Sequence, residues 1–108
     1  MLKTTFRQKL RDRESTCGLW VTLESPNVTE AAVELGFDWV VIDMEHGHLD
    51  WCEVINHVRV ADGTGTATIV RVSEVQQGTI KRALDVGAQG VILPMVGTAA
   101  ELRSEEHT

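Results

Sequence analysis

No apolar run in this 108-residue sequence approaches the roughly 18 residues that a membrane-crossing helix needs, and the opening MLKTTFRQKL lacks the apolar centre of a signal peptide. The chain is therefore expected to be soluble and cytoplasmic, with no membrane partner. Basic charge is scarce as well: 10 Lys and Arg face 16 Asp and Glu, for a formal net charge of -6. A balance of that sign offers little to a phosphate backbone, which argues against nucleic acid as a partner. Cys17 and Cys52 stand far apart with no CxxC or His-rich company, so neither a redox motif nor a structural zinc site is indicated. Both are expected as buried, reduced thiols. No Pro-, Gly- or Ser-rich linker divides the chain, and Asp62-Gly-Thr-Gly-Thr66 fits an ordinary loop between a helix and a strand. What remains, 43% hydrophobic and 24% charged, is the balance of one globular domain.

Three segments carry apolar residues at helical spacing: Val28, Ala31, Ala32 and Leu35; Trp51, Val54, Ile55 and Val58; Ile80, Ala83, Leu84 and Gly87. Asn27, three residues before Glu30, predicts a capping box for the first, and Asp50 opens the second. Gly36, Gly63 and Gly87 are placed to end them. A shorter leading helix is predicted from Leu2, Phe6 and Leu10 on one side and several Lys and Arg on the other. Between the helices lie continuous apolar runs, Leu19 to Val21, Trp39 to Ile42, Ala67 to Val70 and Val91 to Leu93. Runs that do not alternate with polar residues belong to parallel strands covered on both faces. The order is strand, helix, strand, helix, and a weak internal echo between 34–43 and 85–94 repeats the unit.

Two architectures accommodate four such units, an open doubly wound sheet and the first half of a (β/α)8 barrel. Length favours the open sheet, because a barrel takes about 250 residues. The ending points the other way. Thr98 to Leu102 begins a further helix, and the last six residues, Arg103 to Thr108, contain no apolar residue. They match the in-frame translation of a common sequencing adapter, so residues 103–108 are expected to be a non-native tail on a domain spanning 1–102.

In parallel α/β folds chemistry gathers at the carboxyl ends of strands. Here Asp43, Glu45, His46 and His48 fall within six residues directly after an apolar strand. Two readings stand: Asp43 caps a turn beneath solvated histidines, or the loop carries acid–base or metal chemistry. Arg71 closes another apolar run, where its planar fork of donors suits a carboxylate, either a neighbouring Asp or a substrate. Asp85 sits near the end of a helix, where negative charge is unfavourable, which hints at a partner such as a histidine of the preceding loop. His57 reads as a surface residue on the flank of its helix, and Trp20, Trp39 and Trp51 read as packing residues.

Gly18-Leu-Trp-Val-Thr, Gly36-Phe-Asp-Trp-Val-Val-Ile-Asp-Met-Glu-His46-Gly, Val70-Arg71-Val and the block from Lys81 to Val96 together resemble the HpcH/HpaI aldolase family over about residues 3 to 102. The D-x-E-H loop, the V-R-V strand end and the A-L-D-x-G-A-x-G block follow one another in the family's order and at its spacing. The resemblance implies an α/β fold, the N-terminal part (about four βα units) of a truncated (β/α)8 TIM barrel, assembled as a homo-oligomer when full length. It implies retro-aldol cleavage of 4-hydroxy-2-oxo acids to pyruvate and an aldehyde with a divalent metal, Mg, Mn or Co. By position it implies His46 as general base, Asp85 as the acid orienting it, Arg71 as the binder of the pyruvate portion, and Pro94 and Met95 as pocket wall. Asp43 and Glu45 would shape the loop.

The family's metal ligands match nothing up to Leu102, so no ligand is expected within this chain, tight metal binding is not expected and turnover by the chain alone should be negligible. The outer strands would leave edges and helix stripes uncovered, which predicts marginal stability. A citrate-lyase-like or malyl-CoA-lyase-like enzyme is the alternative within the class. A flavodoxin-like binding or phospho-acceptor module is the alternative outside it, disfavoured because strand ends carry Leu23-Glu24-Ser25 and Pro94-Met95 and no Gly-rich phosphate loop occurs.

Overall fold

In the computed structural model, which describes residues 5–106, the chain alternates helix and strand: α1 (Phe6–Arg11), β1 (Gly18–Val21), α2 (Asn27–Glu34), β2 (Trp39–Asp43), α3 (Trp51–Ala61), β3 (Ala67–Arg71), α4 (Gln77–Asp85), β4 (Gly90–Ile92) and α5 (Ala99–Glu106). The four strands form one parallel sheet in the order β1-β2-β3-β4. A doubly wound flavodoxin-like sheet places its second strand outside its first, so this sequential order removes that alternative. It is the order of the first strands of a (β/α)8 barrel. Leu2, at the start of the predicted leading helix, lies outside the described residues, as do residues 107 and 108 of the proposed tail.

Strand alternation divides the sheet into two faces. Leu19, Val21, Val40, Ile42, Val70 and Val91 face α2, α3 and α4, and the core is built there. Val21, Ala32 and Val40 form one buried cluster, while Ile42, Val54, Val58, Val70, Val72 and Ala83 belong to the other. The opposite face carries Trp20, Val41, Asp43, Ile69 and Arg71. At its amino end α1 closes over β3 and β4, leaving a cavity of about 680 Å³ lined by Phe6, Leu10, Ala67, Ile69 and Gly90 among others. Gly18 and Trp39 explain how the sheet starts: a Cβ on Gly18 would lie 1.9 Å from the Trp39 ring, so only glycine lets the indole rest on β1.

The helix ends largely follow the sequence. Gly36, Gly63 and Gly87 take positive φ (79°, 73° and 107°), the left-handed conformation that ends a helix and costs glycine little. Asp50 Oδ1 accepts from the Cys52 amide at 2.9 Å and Glu53 Oε2 from the Asp50 amide at 3.1 Å, a reciprocal capping box. Asn27 does not cap α2; it is already helical, and its amide donates to Ser25 Oγ because Pro26 starts the turn one residue earlier. α5 runs on past Leu102 to Glu106. Two further expectations are corrected. Cys17 and Cys52 are exposed, since Cys17 precedes β1 and Cys52 lies on the outer side of α3. His57 is fully buried, because its side of α3 faces α2 and not solvent.

Candidate active site

Asp43 and Arg71 end β2 and β3 and are register partners, so parallel pairing sets both side chains on the same face at the same rim. Arg71 Nε donates to Asp43 Oδ1 at 3.0 Å and Nη2 to Oδ2 at 2.5 Å, a bidentate fork. The Asp43 side chain is 1% exposed. A buried charge of this kind requires compensation, and it comes from four directions. Beyond the guanidinium, Trp20 Nε1 donates to Oδ2 at 2.9 Å, and the amides of Glu45 and His46 donate to Oδ1 at 2.9 and 3.0 Å. Burial works to raise the Asp43 pKa, but hydrogen bonds from Arg71, Trp20 and the two amides outweigh it and hold the carboxyl well below the usual carboxylate range. The Asp43 contact correspondingly raises the Arg71 pKa against the opposing effect of burial.

Those two amide bonds are an Asx turn, and they explain how a loop is shaped by the residue that precedes it. The turn folds residues 44–48 back over the strand ends and brings His46 Nδ1 to 2.6 Å from Arg71 Nη2. Arginine has no acceptor, so Nδ1 must accept and a neutral His46 carries its proton on Nε2. The imidazole is 70% exposed. Glu45 Oε1 lies 3.6 Å from His46 Nε2, while Glu45 Oε2 is buried with no hydrogen-bond partner among the described residues. The Arg71 guanidinium also stacks 5.1 Å from the centroid of Trp20. Nη1 is the one end of the fork for which no partner is described.

Of the residues singled out in the sequence, the structure brings together Asp43, Glu45, His46 and Arg71. His48 is exposed and joins no described bond. Pro94 and Met95 follow β4 on the same rim, and Met95 is 95% exposed with φ +47°, a strained backbone for a non-glycine residue. Asp85 is not brought to His46. α4 starts beyond the carboxyl ends of the strands and runs back along the sheet, so its last residue, Asp85, lies exposed towards the amino edge. Within one chain the side chain that holds the imidazole is Arg71, not Asp85. Trp20 is the member that sequence reasoning missed; an indole in an apolar strand reads as packing until its N–H is seen on a carboxylate.

Among the described residues no group of three or more His, Cys, Asp or Glu could hold a metal ion. Asp43 has both oxygens occupied by donors. These residues do not by themselves fit a divalent cation. No helix among them is long and apolar enough to cross a membrane.

A family model described as HpcH/HpaI aldolase/citrate lyase matches residues 16–107. The chain is 34% identical over 96 residues to a hydroxypyruvate/pyruvate aldolase of Pseudomonas aeruginosa, covering 89% of this chain and 36% of that protein. It is 35% identical over 101 residues to a 4-hydroxy-2-oxovalerate aldolase of Novosphingobium aromaticivorans, covering 93% and 38%. The crystal structure of an HpcH/HpaI aldolase from Desulfitobacterium hafniense DCB-2 superposes with a TM-score of 0.84 at 29% identity, covering 95% of this chain and 40% of that one. The chain thus spans about two fifths of the length of the relatives it matches.

Proposed function

The chain belongs to the HpcH/HpaI aldolase/citrate lyase family, and from that premise we propose that the whole protein is a carbon–carbon lyase cleaving 4-hydroxy-2-oxo acids to pyruvate and an aldehyde. The observation that carries this reading is the Asp43–Arg71–His46 constellation, a fixed cation and an exposed imidazole sharing one rim of parallel strands. Asp43 fixes the guanidinium plane, and Nη1 faces no described partner, which suits it to an anionic 2-oxo acid. His46 is the base for the C4 hydroxyl.

Retro-aldol cleavage asks for two things at once. A base removes the C4 hydroxyl proton, the C3–C4 bond breaks, and its electron pair becomes the enolate of pyruvate while C4 leaves as the aldehyde carbon. Protonation at C3 then gives pyruvate. Arg71, its plane fixed by Asp43, stabilises that enolate. An imidazole with a free ring nitrogen can take the proton and return it. In the resting arrangement His46 Nδ1 is occupied by Arg71 and Nε2 bears hydrogen. His46 therefore becomes a base only when a substrate oxygen takes over the Arg71 donor and frees the Nδ1 lone pair. No step is assigned to a metal, since the described residues do not form a site for one.

The test is pyruvate release from a series of 4-hydroxy-2-oxo acids, with Mn²⁺ supplied, by the protein at family length. Release that His46→Ala and Arg71→Lys each strongly depress is the expected result. Turnover undiminished by both changes would overturn the roles, and activity confined to acyl-CoA thioesters would replace the substrate class.

A further inference from the structure

His57 is a fully buried titratable side chain that no step above uses. Its Nδ1 lies 2.6 Å from Thr29 Oγ1, and its Nε2 lies 3.1 and 3.2 Å from the carbonyl oxygens of Leu23 and Glu24. Carbonyls only accept, so Nε2 carries the hydrogen and is shared between them, while Nδ1 accepts from the Thr29 hydroxyl. One neutral tautomer satisfies every polar atom of the ring. Thr29 sits on α2 and merely joins two helices, but the carbonyl end does something different. It fastens residues 22–25, an otherwise exposed stretch leading out of β1 at the rim.

That stretch lies against the histidine loop. A Cβ built on Gly47 would be 3.4 Å from the Thr22 carbonyl oxygen and 3.7 Å from Thr22 Cβ, so the two loops meet between Thr22 and Gly47. Thr22 is adjacent to Leu23, and Gly47 is adjacent to His46. A continuous path of contacts therefore runs from the buried imidazole through the Leu23 and Glu24 carbonyls and the Thr22–Gly47 contact to the exposed one.

We infer that His57 is a positioning residue whose Nε2–H holds the loop after β1 as the wall on which the His46 loop rests. Only the functional meaning of His46 rests on the proposed activity. The order of the two loops is measurable in the chain without any turnover, so failure of the one reading is distinguishable from failure of the other.

The experiment is amide hydrogen exchange followed by NMR on the chain and three variants. His57→Asn can still face Thr29 but falls short of the carbonyls; His57→Gln reaches them with an amide N–H; Thr29→Val removes only the Nδ1 partner. In H57N the Glu45 and His46 amides are expected to exchange about tenfold faster or more, while the β2 amides keep their rates. H57Q should restore the rim amides, and T29V should leave them unchanged. Rim amides unmoved in H57N, or accelerated in step with β2 as in general loosening, would overturn the inference. Should H57N fail to fold, ring ¹⁵N shifts of the unsubstituted chain decide: a protonated Nε2 with an unprotonated Nδ1 supports it, and the reverse tautomer ends it.

Discussion

Arg71 Nη2 stands 2.6 Å from His46 Nδ1 while the same nitrogen and its neighbour Nε are gripped by Asp43, so one guanidinium ties the end of β3 to both the end and the following loop of β2. The candidate base is thereby held by the candidate anion binder, and both depend on a carboxylate buried from solvent. Changes at Asp43 should therefore be felt at both partners.

Asp43→Asn keeps the shape but removes the charge that Arg71 requires. Leaving a partly buried cation without its partner costs about 3 kcal/mol in comparable pairs, and urea denaturation should show a loss of that order. The pH dependence has a definite sign. The folded-state pKa of Asp43 lies below its unfolded value of about 3.9, so its contribution is fully present above that pH and disappears as pH falls through the folded-state value. D43N should lack this part of the acid destabilisation below about pH 4.

His57 titrates in a different window. Burial lowers its pKa in the folded chain, with the Glu24 and Leu23 carbonyls and the Glu53 charge opposing that effect. The unfolded chain then binds more protons below about pH 6.5, so stability is whole above that value and falls on acidification through it. The slope is at most about 1.4 kcal/mol per pH unit for one group. Stability of the unsubstituted chain minus that of H57Q, measured by denaturation from pH 7.5 to 5, should decline with acid. A flat difference would show that the ring is protonated as readily folded as unfolded.

Gly18→Ala tests the packing beneath the rim. The added methyl would meet Trp39 at 1.9 Å, and the indole is also anchored by Nε1 to Thr16 Oγ1 at 3.2 Å, so it cannot simply swing away. Overfilling of this kind costs about 1–3 kcal/mol, and G18A is expected at the upper end, read as a lower denaturation midpoint and altered Trp emission. A matching Trp39→Leu change should recover part of the loss, because the clash is with the ring.

How much of this was legible beforehand follows the range of each interaction. The unbroken apolar runs at β2 and β3 announce buried parallel strands, and Asp43 and Arg71 declare themselves by ending those runs. Trp20 gives no such sign, since its ring suits β1 whether or not its N–H finds Asp43. His57 reads as a surface residue because it sits at the flank of the Val54–Val58 stripe, and only α2 and the loop after β1, both distant in sequence, make that flank an interior. Asp85 differs for the converse reason: its place near a helix end suggests a partner in the preceding loop, while within one chain the direction of α4 carries it to the far edge of the sheet.

Trp20→Phe separates the two services of the indole. Phenylalanine keeps a face beneath the guanidinium, 5.1 Å away in the native arrangement, but donates nothing to Asp43 Oδ2. Arg71 and the two loop amides still compensate the carboxylate, so W20F should fold with a Tm lowered by a few degrees, about what 1 kcal/mol produces in a domain of this size. Trp20→Leu removes the stacking as well, and the Arg71 side-chain resonances should then broaden relative to W20F.

Arg71→Lys decides how the rim works as a unit. Lysine retains the positive charge and can reach Asp43, yet it has no planar fork to hold the carboxylate bidentately and also engage His46. If the site needed only charge, turnover of 4-hydroxy-2-oxo acids would survive nearly intact. On the proposed reaction the guanidinium stays fixed by Asp43 while a second edge receives the developing enolate, so in the protein at family length kcat is expected to fall about 100-fold, the scale of losing one preorganised donor to an oxyanion. His46→Ala should cost between about 10²- and 10⁴-fold, the range for a general base. The double variant should cost little more than the larger single loss, since Arg71 first restrains His46 and then, once substrate has taken its donor, releases it; fully additive losses would mean that the two side chains act independently.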